Sequence, residues 1–111
     1  MQVSKEVRIY VEPNGKNQYS EWLAGLDFST QRRVLSAVDR LALGGGDVKR
    51  IGKHLSELRL HFGAGYRVYY TTKGETLVII LAGSDKDNQK RTITLAAMLA
   101  ERARNEIDLE K

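Results

Sequence analysis

Residues 76–82, Thr-Leu-Val-Ile-Ile-Leu-Ala, form an apolar and β-branched run with no polar face. Such a segment reads as a central strand, buried on both sides of a sheet. Everything else in a chain of 111 residues is then read by how it can pair with that strand or cover it. One small domain spanning residues 1–111 is expected, large enough for a single core.

The second constraint is the stretch Glu57 to Tyr70. Leu58, Leu60 and Phe62 alternate with Glu57, Arg59 and His61, the period of a half-buried strand. Gly63 and Gly65 bracket one residue and suit a short hairpin loop. Pairing Phe62 with Tyr66 sets His61 against Arg67 and Arg59 against Tyr69. Arg59, His61, Arg67 and Tyr69 then share one face, and Leu58, Leu60, Phe62, Tyr66, Val68 and Tyr70 fill the core.

The remaining segments follow from periodicity. Glu6–Val11 alternates Val7, Ile9 and Val11 with Glu6, Arg8 and Tyr10, a strand broken by Pro13-Asn14-Gly15. Tyr19, Trp22, Leu23 and Leu26 make one helical stripe. A second helix takes Ser29 or Thr30 as its N-cap and buries Val34, Leu35, Val38, Leu41 and Ala42, with Arg32, Arg33, Asp39 and Arg40 outward. Gly44-Gly45-Gly46 ends it. No strand precedes those glycines and no helix follows at once, so they read as a helix stop rather than a phosphate cradle. Asp47–Leu55 reads as a polar, basic connector, and Thr71–Glu75 as a turn around Lys73-Gly74. Ser84, with Asp87 after it, offers a cap for a last helix whose narrow apolar face is Ile93, Ala96, Ala97 and Ala100. From Glu101 to Lys111 the chain is charged on most sides and is expected to fray or project. The order β-α-α-β-β-β-α makes the class α+β, a mostly antiparallel sheet with the two early helices on one face.

Charge distribution narrows the chemistry. The chain carries +4 net charge, and between Lys49 and Lys73 it places Lys49, Arg50, Lys53, Arg59, Arg67, Lys73, His54 and His61 against one acid, Glu57. That local excess is the footprint of a polyanion binder, though a solvated surface face accounts for it too. There is no cysteine, which fits a reducing compartment, and no apolar run of membrane-spanning length, so no membrane partner is expected and the default location is cytoplasmic. His54 and His61 lack carboxylates at ligand spacing, so no metal site suggests itself. No nucleophile elbow surrounds any serine, and no cofactor is implied.

The remaining constellation suits RNA cleavage by its own 2′-OH, giving a 2′,3′-cyclic phosphate and a 5′-OH. That reaction needs a base, cations for the phosphorane and an acid for the leaving oxygen. His61 has the right ordinary titration range for the base. Arg59 and Arg67 suit the phosphate oxygens. Lys86 and Lys90, one turn apart with Arg91 beside them, add charge. Tyr69 suits stacking on a base or donating to a phosphate, although a sheet-stabilising aromatic is the commoner role for such a residue. Lys49, Arg50, Lys53, Tyr69 and Arg91 complete the expected RNA-binding set.

The segments Glu57-Leu-Arg-Leu-His-Phe-Gly-Ala-Gly-Tyr-Arg-Val-Tyr-Tyr70 and Leu77-Val-Ile-Ile-Leu-Ala-Gly-Ser-Asp-Lys-Asp-Asn-Gln-Lys-Arg91 resemble the RelE/ParE superfamily of type II toxins. Within it they are most similar to the HigB-like subgroup often called addiction module killer proteins, over nearly the whole chain. The resemblance implies a small antiparallel sheet flanked by helices, a cognate antitoxin of helix-turn-helix type, and mRNA cleavage on the ribosome. It places Arg67 at a phosphate-binding arginine, Arg59 and His61 on the strand of basic catalytic residues, and Lys86 and Lys90 in the basic segment after the last strand. The chain departs from the best-known ribosome-dependent members in having no Tyr or His after Tyr70. ParE-like members share the fold and act on DNA gyrase instead. A non-catalytic RNA-binding module is the third reading.

Overall fold

The computed structural model describes residues 4–109, with side chains described through Glu106. The described elements are β1 (Glu6–Ile9), α1 (Gln18–Ala24), α2 (Phe28–Ala42), β2 (Asp47–Gly52), β3 (Leu55–Arg59), β4 (Arg67–Lys73), β5 (Leu77–Ser84) and α3 (Gln89–Leu109). The strands form one sheet in the order β1-β5-β4-β3-β2. β1 lies parallel to β5, and the other three pairings are antiparallel. This is an α+β fold consistent with a RelE-like architecture.

The apolar run is the inner strand it promised to be. β5 lies between β1 and β4 and is buried from Val78 to Ser84. Successive side chains point to opposite faces. Val78 and Ile80 join Leu58, Val68 and Tyr70 under α1 and α2, where Tyr19, Val34, Val38 and Leu41 meet them. Ile79 and Leu81 face the other way with Tyr69 and Tyr10, under Ala96, Leu99, Ala100 and Ala103 of α3. Each face thus has its own helical cover, and the early helices share one face as expected. At Gly83 α1 and the sheet come close together: a Cβ there would lie 2.1 Å from the Trp22 ring. Only a residue without that atom lets α1 seat on β5.

Several expectations are corrected. The basic connector is a strand, β2, paired with β3 from Asp47–Arg59 to Gly52–Leu55. It is an edge strand whose residues are exposed except for half-buried Ile51, so there was no apolar alternation to read. In the hairpin, Arg59 faces Arg67 and Leu60 N donates to Tyr66 O, a two-residue offset from the expected register. The loop therefore spans residues 61–65, with Gly63 and Gly65 both at positive φ. A two-residue offset keeps every side chain on its expected face, since faces alternate with period two.

The caps also move. Asp27, not Ser29 or Thr30, caps α2, its Oδ1 accepting from Thr30 N at 2.7 Å. Asp85 Oδ1 accepts from Asn88 N before α3, while Ser84 Oγ is engaged with Tyr69. Ile9 and Val11 are exposed beside the sheet edge, and Tyr10 turns inward, its hydroxyl donating to Glu106. α3 does not fray at Glu101. Buried Ala103 and the Arg104 bond to Thr72 O hold it down, while the end of the charged tail lies outside the described residues.

Candidate functional site

Two rows of side chains cross the α3 face of the sheet near the hairpin loop. Strand register aligns Asp47, Arg59, Arg67 and Ser84 in one row, and Lys49, Glu57, Tyr69 and Ala82 in the next. Directly opposed residues share a face, so the rows form a small charge lattice.

Each arginine has a carboxylate. Arg59 Nη2 donates to Asp47 Oδ1 at 3.2 Å. Arg67 Nε lies 3.9 Å from Glu57 Oε1. Glu57 is 1 % exposed, and its other oxygen accepts from Gln89 Nε2 at 2.7 Å, which ties the first turn of α3 to β3. Arg67 is pinned further by donating from Nη1 to Gly65 O at 2.9 Å. The Nε atoms of both arginines are nevertheless buried with no hydrogen-bond partner. Buried polar groups without partners are uncommon and call for a ligand or water.

His61 sits just beyond the end of β3, exposed, with Nε2 bonded to Asp47 Oδ2. In the neutral ring, Nε2–H donating to the carboxylate leaves the Nδ1 lone pair free to accept a proton. Asp47 thus holds both Arg59 and His61. Those two bonds keep its carboxyl below the usual carboxylate range, the His61 bond first and the Arg59 bond second.

Lys86 joins this set through the loop. Its N–H donates to Ala64 O, and a Cβ at Gly65 would lie 3.2 Å from Lys86 Cβ and 3.5 Å from Arg67 Nη1. Gly65, at φ 72°, lets the Lys86 stem pass beside Arg67. Arg59, His61, Arg67 and Lys86 therefore gather around the hairpin loop.

Other expected residues lie elsewhere. Tyr69 is fully buried beneath α3, with its hydroxyl 3.0 Å from Ser84 Oγ, so it cannot stack on an external base. Burial raises its hydroxyl above the ordinary phenol value. Lys49 is opposite Glu57 on β2. Arg50 donates to Gly52 O and Lys53 O, closing the β2–β3 turn with exposed Lys53, at the far end of β3 from His61. Lys90 and Arg91 are exposed in the first turn of α3, where Arg91 bonds Asn88.

Asp47, Glu57 and Gln89 are the site's organising residues that sequence reading missed. Asp47 stood at the head of a segment read as connector; a strand assignment there would have aimed it at Arg59. Glu57 alternates with Arg59 and His61 and read only as the one acid of the basic window.

Past Arg59 the β3 edge has no β2 partner, and a cleft of about 750 Å³ opens between it and α2. Arg59 and His61 line its rim, and Arg32, Arg33 and Arg40 project from α2 into it. Among the described residues, no group of three or more His, Asp or Glu side chains is placed to hold a metal ion. No described helix is long and apolar enough to cross a membrane.

Comparison with known proteins adds two findings. The profile of the family described as "Phage derived protein Gp49-like (DUF891)" matches residues 21–104, from α1 through most of α3. An uncharacterized protein of Haemophilus influenzae is 35% identical over 85 residues, covering 75% of this chain and 86% of its own length.

Proposed function

We propose, for a chain that belongs to the family of phage-derived Gp49-like proteins (DUF891) associated with toxin–antitoxin systems, that it is a toxin cleaving mRNA on the ribosome in the manner of the addiction module killers. A cognate antitoxin, encoded beside it and of helix-turn-helix type, holds it inactive.

The observation that carries this reading is the opposed pair Arg59 and Arg67, held by Asp47 and Glu57, beside an Asp47–His61 pair bonded through Nε2. A phosphodiester seated against the guanidinium ends spreads its developing charge over planar donors. His61 Nδ1 takes the 2′-OH proton as that oxygen bonds to phosphorus. The P–O5′ bond breaks, and the leaving oxygen takes a proton from Lys86, with Lys90 one turn on as the alternative donor. Asp47 fixes the ring and stabilises it once charged.

Induction of the chain in a translating extract, followed by mapping of mRNA 5′ ends, tests the reading. New 5′-hydroxyl ends on translated messages are expected. Intact mRNA with normal translation overturns it. Intact mRNA with loss of DNA supercoiling assigns a gyrase poison instead, and salt-sensitive RNA binding without cleavage assigns a binding module.

A further inference from the structure

We infer that the cleft between α2 and the free end of β3 is a nucleotide subsite. It stacks one base of a single-stranded RNA on Arg33 and binds the adjoining phosphates through Arg32 and Arg40. This rests on the reading above only in taking RNA as the ligand.

Three observations converge. First, the cleft shares residues with the proposed cleavage site, because Asp47, Arg59 and His61 line it. A strand that passes Arg59 and rounds the free end of β3 meets this cleft. Second, one wall carries a guanidinium laid over an aromatic ring. The Arg33 guanidinium carbon lies 3.7 Å from the Phe62 ring centroid, and Phe62 packs 5.4 Å from Tyr66. A guanidinium seated over a ring keeps its other face for a base, and planar side chains are the usual way unpaired bases are captured. Third, the walls are cationic. Among the described residues, Asp47 is the one acid lining the cleft, and it is already engaged by Arg59 and His61.

The size agrees. The cleft of about 750 Å³ falls within the roughly 300–1,000 Å³ of sites that enclose one small organic ligand. An acidic peptide would also meet the arginines, but it has no use for a planar wall; a nucleobase does. Among the described residues of the cleft, the α2 arginines make no ion pair with a carboxylate, and two of them lie over aromatic rings. Arg32 and Arg33 are exposed, and the buried face of α2 is Val34, Val38 and Leu41. Phe28 is 72 % exposed at the cleft mouth, with the Arg32 guanidinium 5.7 Å from its ring centroid, a second planar surface beside the first.

The test is fluorescence anisotropy of the whole chain with a labelled single-stranded 2′-O-methyl oligonucleotide, which cannot be cleaved by 2′-OH attack. The triple change Arg32→Ala, Arg33→Ala and Arg40→Ala should weaken binding at least tenfold at low salt. It should also flatten the salt slope by roughly 1.4, since the two phosphate contacts of Arg32 and Arg40 on a single strand contribute about 0.7 each. The single change Arg33→Lys keeps the charge and the fold. It should weaken binding about fivefold or more with the slope unchanged, because only stacking is lost. Unchanged affinity and slope in both variants overturn the subsite. Preferential binding of an acidic octapeptide, lost in the triple variant while RNA binding is not, assigns the cleft to a peptide and also overturns it. Cleavage absent in the extract but oligonucleotide binding lost in the variants removes the nuclease reading and leaves the subsite standing.

Discussion

Arg59 and Arg67 stand directly opposite each other across the β3–β4 ladder. Like charges in that position repel and destabilise a sheet. The fold balances them asymmetrically: Arg59 leans on exposed Asp47, and Arg67 on buried Glu57. One arginine is therefore set by a surface contact and the other by an interior one, so their replacements have different consequences.

Arg67→Ala should lower unfolding free energy by about 3 kcal/mol, because Glu57 then remains buried without a cation. Adding Glu57→Gln should recover much of that stability, with Gln89 able to re-pair to the amide, yet toxicity should stay lost. Chemical denaturation of the two variants beside growth inhibition separates the roles. Full toxicity in the stable double variant would remove Arg67 from the site. Arg59→Ala, whose partner Asp47 is exposed, should cost stability little and activity heavily.

Asp47→Asn removes the carboxylate that aligns His61 and Arg59. Cleavage should fall at least tenfold, within the roughly 10²–10⁴ that a positioned base contributes, while Asp47→Glu retains a fraction. Stability should respond to pH as well. Asp47 has a depressed folded value, so its contribution is present above the ordinary carboxylate value of about 3.9 and is lost as pH falls through the folded value. Wild type should therefore lose stability below about pH 4 more steeply than Asp47→Asn, measured by denaturant midpoints across that range.

At the alkaline end the tyrosines carry the signal. Burial, aided by the Glu106 carboxylate, pushes Tyr10 up to about 12, and burial pushes Tyr19 to about 12 with Asp39 adding to it. Folded values raised in this way contribute stability that is fully present below about pH 10 and fades as pH rises toward 12. Ultraviolet titration of the folded chain at pH 11 should find Tyr10 and Tyr19 still largely protonated, with ionisation appearing together with unfolding. Tyr10→Phe should lessen the loss of stability above pH 10 and cost about 1 kcal/mol at neutral pH through the lost bond to Glu106.

Gly83→Ala should destabilise by about 3 kcal/mol, because the new Cβ falls within the Trp22 ring and α1 must lift from β5. Loss of Trp22 fluorescence change on unfolding, or a red-shifted native emission, checks it. Gly74→Ala, with open space around its Cβ position but φ 63°, should show only the smaller backbone cost.

The strands and helices that bury an apolar face were legible because burial imposes a period. β5, α2 and the hairpin all announce themselves in Val, Ile and Leu spacing. β2 buries almost nothing, so no pattern marked it, and with it went Asp47, the residue that links Arg59 to His61. Tyr69 misled for the opposite reason. Its face was assigned properly by alternation, but alternation cannot say whether water or α3 lies over that face. The α2 arginines were read as outward-facing and are; their meaning depends on Phe62, brought near only by the hairpin loop.

The parallel pairing of β1 with β5 sets the order in which the nascent chain completes its cationic site. Glu6 must wait for Leu77 before it has a neighbour, so the earliest strand made is among the last to dock. Contacts so distant in sequence slow folding. Gln89, which fastens Glu57, and Lys86, which joins Arg67, leave the ribosome later still. A partly synthesised chain thus carries the cationic hairpin without its brace, and the site is complete only once α3 has closed over the sheet.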